Sequence, residues 1–279
     1  TLTLENVPET PADVREGLRR YQNARSASFQ DWLADGSMLI TTRFGQTGQL
    51  HHVAVPGGER YQLTFFDEPV ASAAALPGSV DRFVFSKDTG GDEYFQLYLA
   101  GLTLPERAFT TSGTRNQSVV FSKSGRRLAW AEVGKGNPDY SVRVAEVKDG
   151  EIIPGESFKT TGATSPVAFS PDGRALLLSR YISAAASKLY LREDVKPLRE
   201  INPSSADIAY EGGQFTPGGQ SILVISDQDY EFKRLVEIDL SSGRITPITP
   251  NDLSWDIESF DLSDDGKTLA YASEAGTPL

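Results

Sequence analysis

Phe169-Ser170-Pro171-Asp172-Gly173-Arg174-Ala175-Leu176 sets an aromatic residue, a polar turn closed by Gly and a return to apolar sequence in quick succession. The arrangement recurs around Leu33-Ala34-Asp35-Gly36, Ser122-Lys123-Ser124-Gly125, Thr216-Pro217-Gly218-Gly219 and Ser263-Asp264-Asp265-Gly266. Four residues before each Gly stands Trp32, Phe121, Phe169, Phe215 or Leu262; three after it stands Leu39, Leu128, Leu176, Ile222 or Leu269. The last four of these glycines are 48, 46 and 47 residues apart, and Leu76-Pro77-Gly78 fills the gap after Gly36 as a weaker copy. A fixed period of this size marks a repeat architecture. One repeat alone cannot bury its apolar face, so the array is the folding unit.

Within a repeat the pattern is strand–turn–strand. In the fourth, Pro166–Ser170, Arg174–Arg180, Lys188–Arg192 and Pro197–Ile201 read as successive strands. Third strands alternate, as in Val142/Val144 and Leu189/Leu191. Pro56-Gly57-Gly58, Asp149-Gly150 and Ser242-Gly243 suit tight hairpins that need positive φ. The expectation is an all-β fold, a β-propeller of four-stranded blades, with about five complete blades, part of a sixth and a short N-terminal helix. Residues 1–26 form the lead-in and 27–279 the propeller, with no linker or composition shift after 27. Thr10-Pro11-Ala12-Asp13 starts a helix as N-cap, first-turn Pro and acid. Val14, Leu18 and Tyr21 share its apolar face, and Gly17 costs about 1 kcal/mol, so the helix is expected to dock on the propeller. At the other end, 257–262 and 268–273 supply two strands. Half a blade leaves edges unpaired, which predicts that the natural polypeptide continues.

The chain is 39% hydrophobic and 23% charged, which supports an extended core and argues against disorder. Its net charge of −11 speaks against nucleic acid and anionic membrane as partners, since both need a basic surface. Cys is absent, which removes disulfides, thiolate metal ligands and a thiol nucleophile. No cofactor is expected. No apolar run approaches a membrane span.

Several strings resemble the N-terminal propeller of the prolyl oligopeptidase family of serine peptidases, in its bacterial acylaminoacyl- and dipeptidyl-peptidase-like branch. They include Tyr21-Gln22-Asn23-Ala24-Arg25, Phe29-Gln30-Asp31-Trp32, Thr42-Arg43-Phe44-Gly45 and Gln62-Leu63-Thr64-Phe65-Phe66-Asp67-Glu68-Pro69-Val70. The most distinctive is Ser86-Lys87-Asp88-Thr89-Gly90-Gly91-Asp92-Glu93 running into Gln96-Leu97-Tyr98. The likeness covers residues 20–100; beyond them only generic repeats match, which also resemble the propeller of the Tol system. It implies a C-terminal α/β-hydrolase domain of the same polypeptide as partner, short peptides as substrates, and a periplasmic or secreted location, with a cytoplasmic alternative. Within the chain itself there is no Gly-x-Ser-x-Gly elbow: Gly219-Gln220-Ser221 lacks the closing Gly. The histidines, His51 and His52, precede any candidate nucleophile, against the order of that fold. No catalytic residue is therefore assigned. The expected role is substrate gating, and the alternative is a non-enzymatic scaffold that binds a protein partner.

Three residues are candidates for contact with substrate. Asp92 and Glu93 stand in a Gly-rich acidic loop and could hold a free amino terminus; the competing role for such acids is capping backbone N–H groups. Arg43, with Arg25 and Arg180, could clamp a carboxylate or carbonyl if aimed into the tunnel, against the commoner use in interblade salt bridges. A sialidase Asp-box is matched only in part, through Ser86, Asp88 and Gly90. Asp227-Gln228-Asp229-Tyr230-Glu231 lacks the Gly and distal Glu of an EF-hand loop and reads as a hairpin tip. His51 and His52 point to opposite faces of one strand, which defeats joint metal binding. Trp32, Trp130 and Trp255 read as interblade core. A propeller glycosidase would need paired carboxylates across the cavity.

Overall fold

The computed structural model describes residues 5–22, 24–194, 196–201, 206–250, 252–263 and 265–273. After helix α1 (Ala12–Gln22) the chain forms six antiparallel sheets. Blade 1 holds β1 (Ala27–Trp32), β2 (Met38–Thr42), β3 (Gln49–Val53) and β4 (Tyr61–Gln62). Blade 2 holds β5 (Ser72–Ala75), β6 (Arg82–Lys87), β7 (Gln96–Gly101) and β8 (Arg107–Ala108). Blade 3 holds β9 (Thr114–Phe121), β10 (Arg127–Gly134), β11 (Ser141–Lys148) and β12 (Glu151–Lys159). Blade 4 holds β13 (Ala163–Phe169), β14 (Ala175–Ser183), β15 (Ala186–Glu193) and β16 (Arg199–Ile201). Blade 5 holds β17 (Tyr210–Phe215), β18 (Ser221–Ser226), β19 (Arg234–Asp239) and β20 (Ile245–Pro247). Blade 6 is the two-stranded β21 (Ile257–Leu262) and β22 (Leu269–Ser273). This is the β-propeller expected from the repeat.

The repeat turns explain the period. Gly36, Gly78, Gly125, Gly173, Gly219 and Gly266 all have φ between 68° and 84°. In five of them the Gly N–H donates to the carbonyl three residues back, as Gly125 does to Ser122 at 2.8 Å. In the weaker copy Ser79 makes that bond to Leu76, so Gly78 occupies a different turn position. The turn acids serve the turns: Asp35 and Asp172 accept the Ser37 and Ser170 hydroxyls at 2.6 Å, bonds that hold both carboxyls below the usual range. Successive turns also touch, since a Cβ on Gly125 would lie 2.7 Å from the Pro77 carbonyl oxygen. Gly125→Ala is expected to cost about 1–2 kcal/mol in left-handed backbone strain alone, with the clash added. Gly36→Ala meets open space and incurs only the strain. Thermal melts of the two variants separate the terms, and equal losses would refute the turn-on-turn contact.

First strands of neighbouring blades adjoin and form the inner wall. All but β5 carry a register shift against the second strand, at Phe29/Asp31, near Ser118, and at Pro166/Ala168, Glu211/Gln214 and Ile257/Ser259. Such bulges re-aim side chains, and here they link blades. The Gln30 amide oxygen accepts the Ala73 N–H at 3.0 Å and Asp31 that of Ala75 at 2.9 Å. Gln214 likewise joins β17 to Asp261 and Leu262.

Five apolar cores lie between consecutive blades, from Leu33, Leu39, Leu50 and Phe83 (blades 1 and 2) to Leu223, Ile225, Leu235 and Ile257 (blades 5 and 6). No corresponding core joins blade 6 to blade 1 among the described residues. The ring has a seam there. The aromatic before each turn packs backward: Phe121 onto blade 2, Phe169 onto blade 3, Phe215 onto blade 4. Trp32 has the same place in blade 1, where no other blade covers it among the described residues, and is 56% exposed beside Phe29. The reading of the tryptophans as interblade core is corrected at two of three. Trp130 is buried and donates its indole N–H to Asn116 at 3.1 Å, whereas Trp255 lies 45% exposed in the connection from blade 5 to blade 6. The docked helix is corrected too, because Val14, Leu18 and Tyr21 are all exposed. Local bonds support α1 instead: Arg15 donates to the Thr10 carbonyl and Arg19 pairs with Glu16.

Candidate functional site

Antiparallel order gives the propeller two rims. The lower rim holds the repeat turns and the hairpins between third and fourth strands. The upper rim holds the hairpins between second and third strands and the connections from blade to blade. On the axis, toward the lower rim, a cavity of about 740 Å³ is lined by the ends of the first strands. Its wall mixes apolar side chains (Val119, Val167, Phe169, Phe215 and Leu262) with polar ones, of which Asp31 and Gln214 are already bonded to neighbouring backbone or side chains. None of Asp92, Glu93, Arg43, Arg25 or Arg180 lines it.

Asp92 and Glu93 lie exposed in the β6–β7 hairpin on the upper rim. Gly90 and Gly91 turn the chain with φ of 65° and 76°, and Glu93 follows at 60°. The loop closes on itself. Asp88, nearly buried, accepts the Glu93 N–H at 3.0 Å, and Asp92 accepts that of Tyr94 at 2.9 Å. Glu68, from the blade 1–blade 2 connection, receives the Gly90 N–H at 3.0 Å and pairs with Lys87 at 3.2 Å. Those two bonds, the Gly90 one foremost, hold its carboxyl below the usual range. Lys87 is 7% exposed, 4.8 Å above the Phe66 ring, and also donates to the Asp88 carbonyl. A charge buried that deeply depends on its partner. Glu68→Gln is therefore expected to lower the melting temperature and loosen residues 88–93, whereas Glu93→Gln leaves the melt unchanged. Equal melts for both variants would contradict this tie. Sequence reasoning missed Glu68 and Lys87 as a pair; both stand in the strings quoted above, one per blade.

Arg43 is half-buried in the β2–β3 hairpin, also on the upper rim and one blade from the acids. No hydrogen bond or ion pair joins it to Asp92 or Glu93. Arg25 lies 5.0 Å over Phe44, and Arg180 lies 4.9 Å over Tyr190, so both stack on aromatic rings. Asp227 and Tyr230 close a hairpin tip at 3.0 Å, as the sequence suggested. His51 is buried and His52 half-buried, on opposite faces of β3. Among the described residues no group of three or more His, Cys, Asp or Glu is placed to hold a metal ion, and no helix is long and apolar enough to cross a membrane.

Both rims expose apolar groups: Phe44, Phe65, Tyr181, Ile182 and Trp255 on the upper, and Trp32, Val55, Tyr61, Val80 and Leu104 toward the lower. The upper rim also gathers acids, with Asp88, Asp92 and Glu93 on blade 2 and Asp227, Asp229 and Glu231 on blade 5.

No family model matches the chain, and no curated protein matches it. Solved structures do. An oligogalacturonate lyase from Vibrio parahaemolyticus superposes with TM-score 0.65 at 14% identity, over 88% of this chain and 70% of that one. Prolyl oligopeptidase B from Galerina marginata, bound to a 35mer hydrolysis and macrocyclization substrate, gives 0.66 at 14% identity, over 90% of this chain and 41% of its own. TolB from Acinetobacter baumannii gives 0.55 at 15% identity, over 91% and 59%. At these identities the likeness is one of fold: the chain is a β-propeller, of the kind found in prolyl oligopeptidases, oligogalacturonate lyases and TolB.

Proposed function

We propose that this propeller gates the active site of a serine peptidase acting on short peptides, with catalysis supplied by an α/β-hydrolase domain of the same polypeptide. The observation that carries the reading is the run of family-like strings over residues 20–100, which fold into blades 1 and 2 and place their most distinctive member on the acidic upper rim. The hydrolase domain covers that rim. Folded proteins are excluded by size, and the rim's acids favour basic or free-amine peptides by long-range attraction. Asp92 and Glu93 meet the substrate's amino terminus, and Arg43 a carbonyl or carboxylate. The same resemblance argues for export. Cell fractionation then finds the polypeptide in the periplasm or medium, and recovery in the cytoplasm supports the alternative.

The coding sequence downstream of Leu279 tests the reading. It requires a strand–Gly-x-Ser-x-Gly–helix segment within one or two blades. If none follows, the peptidase reading is lost. One stoichiometric protein partner, retained by affinity capture, would then support the scaffold reading, which the TolB-like fold also accommodates.

A further inference from the structure

The β14–β15 hairpin differs from the other upper-rim hairpins in having no charge at its tip. Its strands are 9 and 8 residues long, close to the 8 and 8 of blade 3 and longer than the 5 and 5 of blade 1 or the 6 and 6 of blades 2 and 5. It pairs regularly out to Tyr181↔Ser187, shifts register at Ile182 and closes at Ser183↔Ala186, so the ladder reaches the tip with one bulge at the anchor position. From Tyr181 to Ala185 it carries no charge, and every one of those residues is exposed. Tyr181 is 62% exposed and Ile182 53%. An uncharged, apolar finger on an otherwise acidic rim has the character of a binding hot spot, which concentrates in aromatic and aliphatic anchors that enter a partner's pocket.

We infer that Tyr181 and Ile182 anchor the propeller to the catalytic domain, filling an apolar pocket on that domain that is bordered by basic groups. This rests on the peptidase reading. Two observations commit the surface to that occupant. Prolyl oligopeptidase B superposes over 90% of this chain yet only 41% of its own, which leaves room for a domain-sized body beyond the propeller. The acidity of the rim selects a basic border around the pocket. Trp255 and Phe65 extend the same face and complete the apolar contact.

Hydroxyl-radical footprinting of the full-length gene product tests the assignment with an internal reference. Tyr61, on outer strand β4, is 68% exposed, so in this propeller it should be oxidised at nearly the rate of Tyr181. With the hairpin docked, Tyr181 is oxidised several-fold more slowly than Tyr61. A Tyr181→Ser/Ile182→Ser variant then splits the thermal unfolding into two transitions, whereas Val80→Ser/Leu104→Ser on the lower rim leaves it as in the wild type. Equal oxidation of Tyr181 and Tyr61 in a full-length chain that hydrolyses peptides overturns the anchor while leaving the peptidase reading intact. A full-length product without a catalytic fold overturns the reading beneath it.

Discussion

Arg234→Met is expected to cost about 3–5 kcal/mol, because it removes a buried cationic fork and the carbonyl hydrogen bonds it makes. Arg234 is 3% exposed. Its guanidinium donates to the carbonyls of Leu253 and Trp255 and lies over the Tyr230 ring at 5.9 Å. It therefore fixes the connection that delivers the chain from blade 5 to blade 6. Among the described residues blade 6 has two strands and packs on blade 5 alone. In a repeat array such a loss is read locally before it is read globally. Hydrogen exchange should show amides of 257–273 losing protection first, with blades 2 to 4 little changed. Arg234→Lys keeps the charge without the planar fork and falls between wild type and Met. Wild-type protection of blade 6 in the Met variant would contradict this account.

Acid sensitivity is the second large effect, and His51 is its source. The residue is fully buried in β3, in a cross-strand row with Phe29, Ile40 and Gln62. Its Nδ1–H donates to the Gln49 carbonyl at 2.9 Å, which leaves Nε2 as a bare acceptor, buried and unpaired. Its ring packs 5.2 Å from that of Phe44, over which the Arg25 guanidinium lies, and Arg60 adds a second cation; no carboxylate offsets them. Burial foremost, with Arg60, pushes the imidazole pKa below its ordinary value, against the pull of the Gln49 carbonyl. The unfolded chain therefore takes up the proton first. The stability that His51 contributes is complete above about pH 6.5 and declines as pH falls toward the native pKa, by up to about 1.4 kcal/mol per pH unit. His51→Asn should flatten the dependence of the melt between about pH 6.5 and 5, while His52→Asn leaves it in place. An unchanged slope in His51→Asn would remove His51 from the explanation.

The blades were legible because their turns demand glycine. A left-handed φ at the close of each turn leaves few residue choices, so Gly36, Gly125, Gly173, Gly219 and Gly266 mark the period openly. The bulges left no such mark, because a register shift at Gln30 or Val167 depends on neighbouring strands and not on one residue type. Trp32 was misread for a related reason: it matches Phe169 and Phe215 in the repeat, but burial requires a blade packed against that side, and among the described residues none covers blade 1 there. At the candidate site, Asp92 and Glu93 were found as a loop, yet the tie from Glu68 to Gly90 and Lys87 crosses between blades and carries no local pattern. The hairpin anchor did leave a signal. Tyr181-Ile182-Ser183-Ala184-Ala185-Ala186 is an uncharged run at a position where the hairpins of blades 2, 3 and 5 carry acids and that of blade 1 carries Arg43.

Hydrolysis by the full-length gene product of two peptides, identical except for an acetylated amino terminus, tests the gating role most directly. The account predicts a preference for the free amine, and cleavage of the same sequence in a short peptide but not within a folded protein. Asp92→Asn/Glu93→Gln should raise KM for the free-amine peptide about tenfold or more, as befits a lost charge-assisted contact, with KM for the acetylated one unchanged. Equal cleavage of short peptide and folded protein, with no response to the acid substitutions, would contradict it.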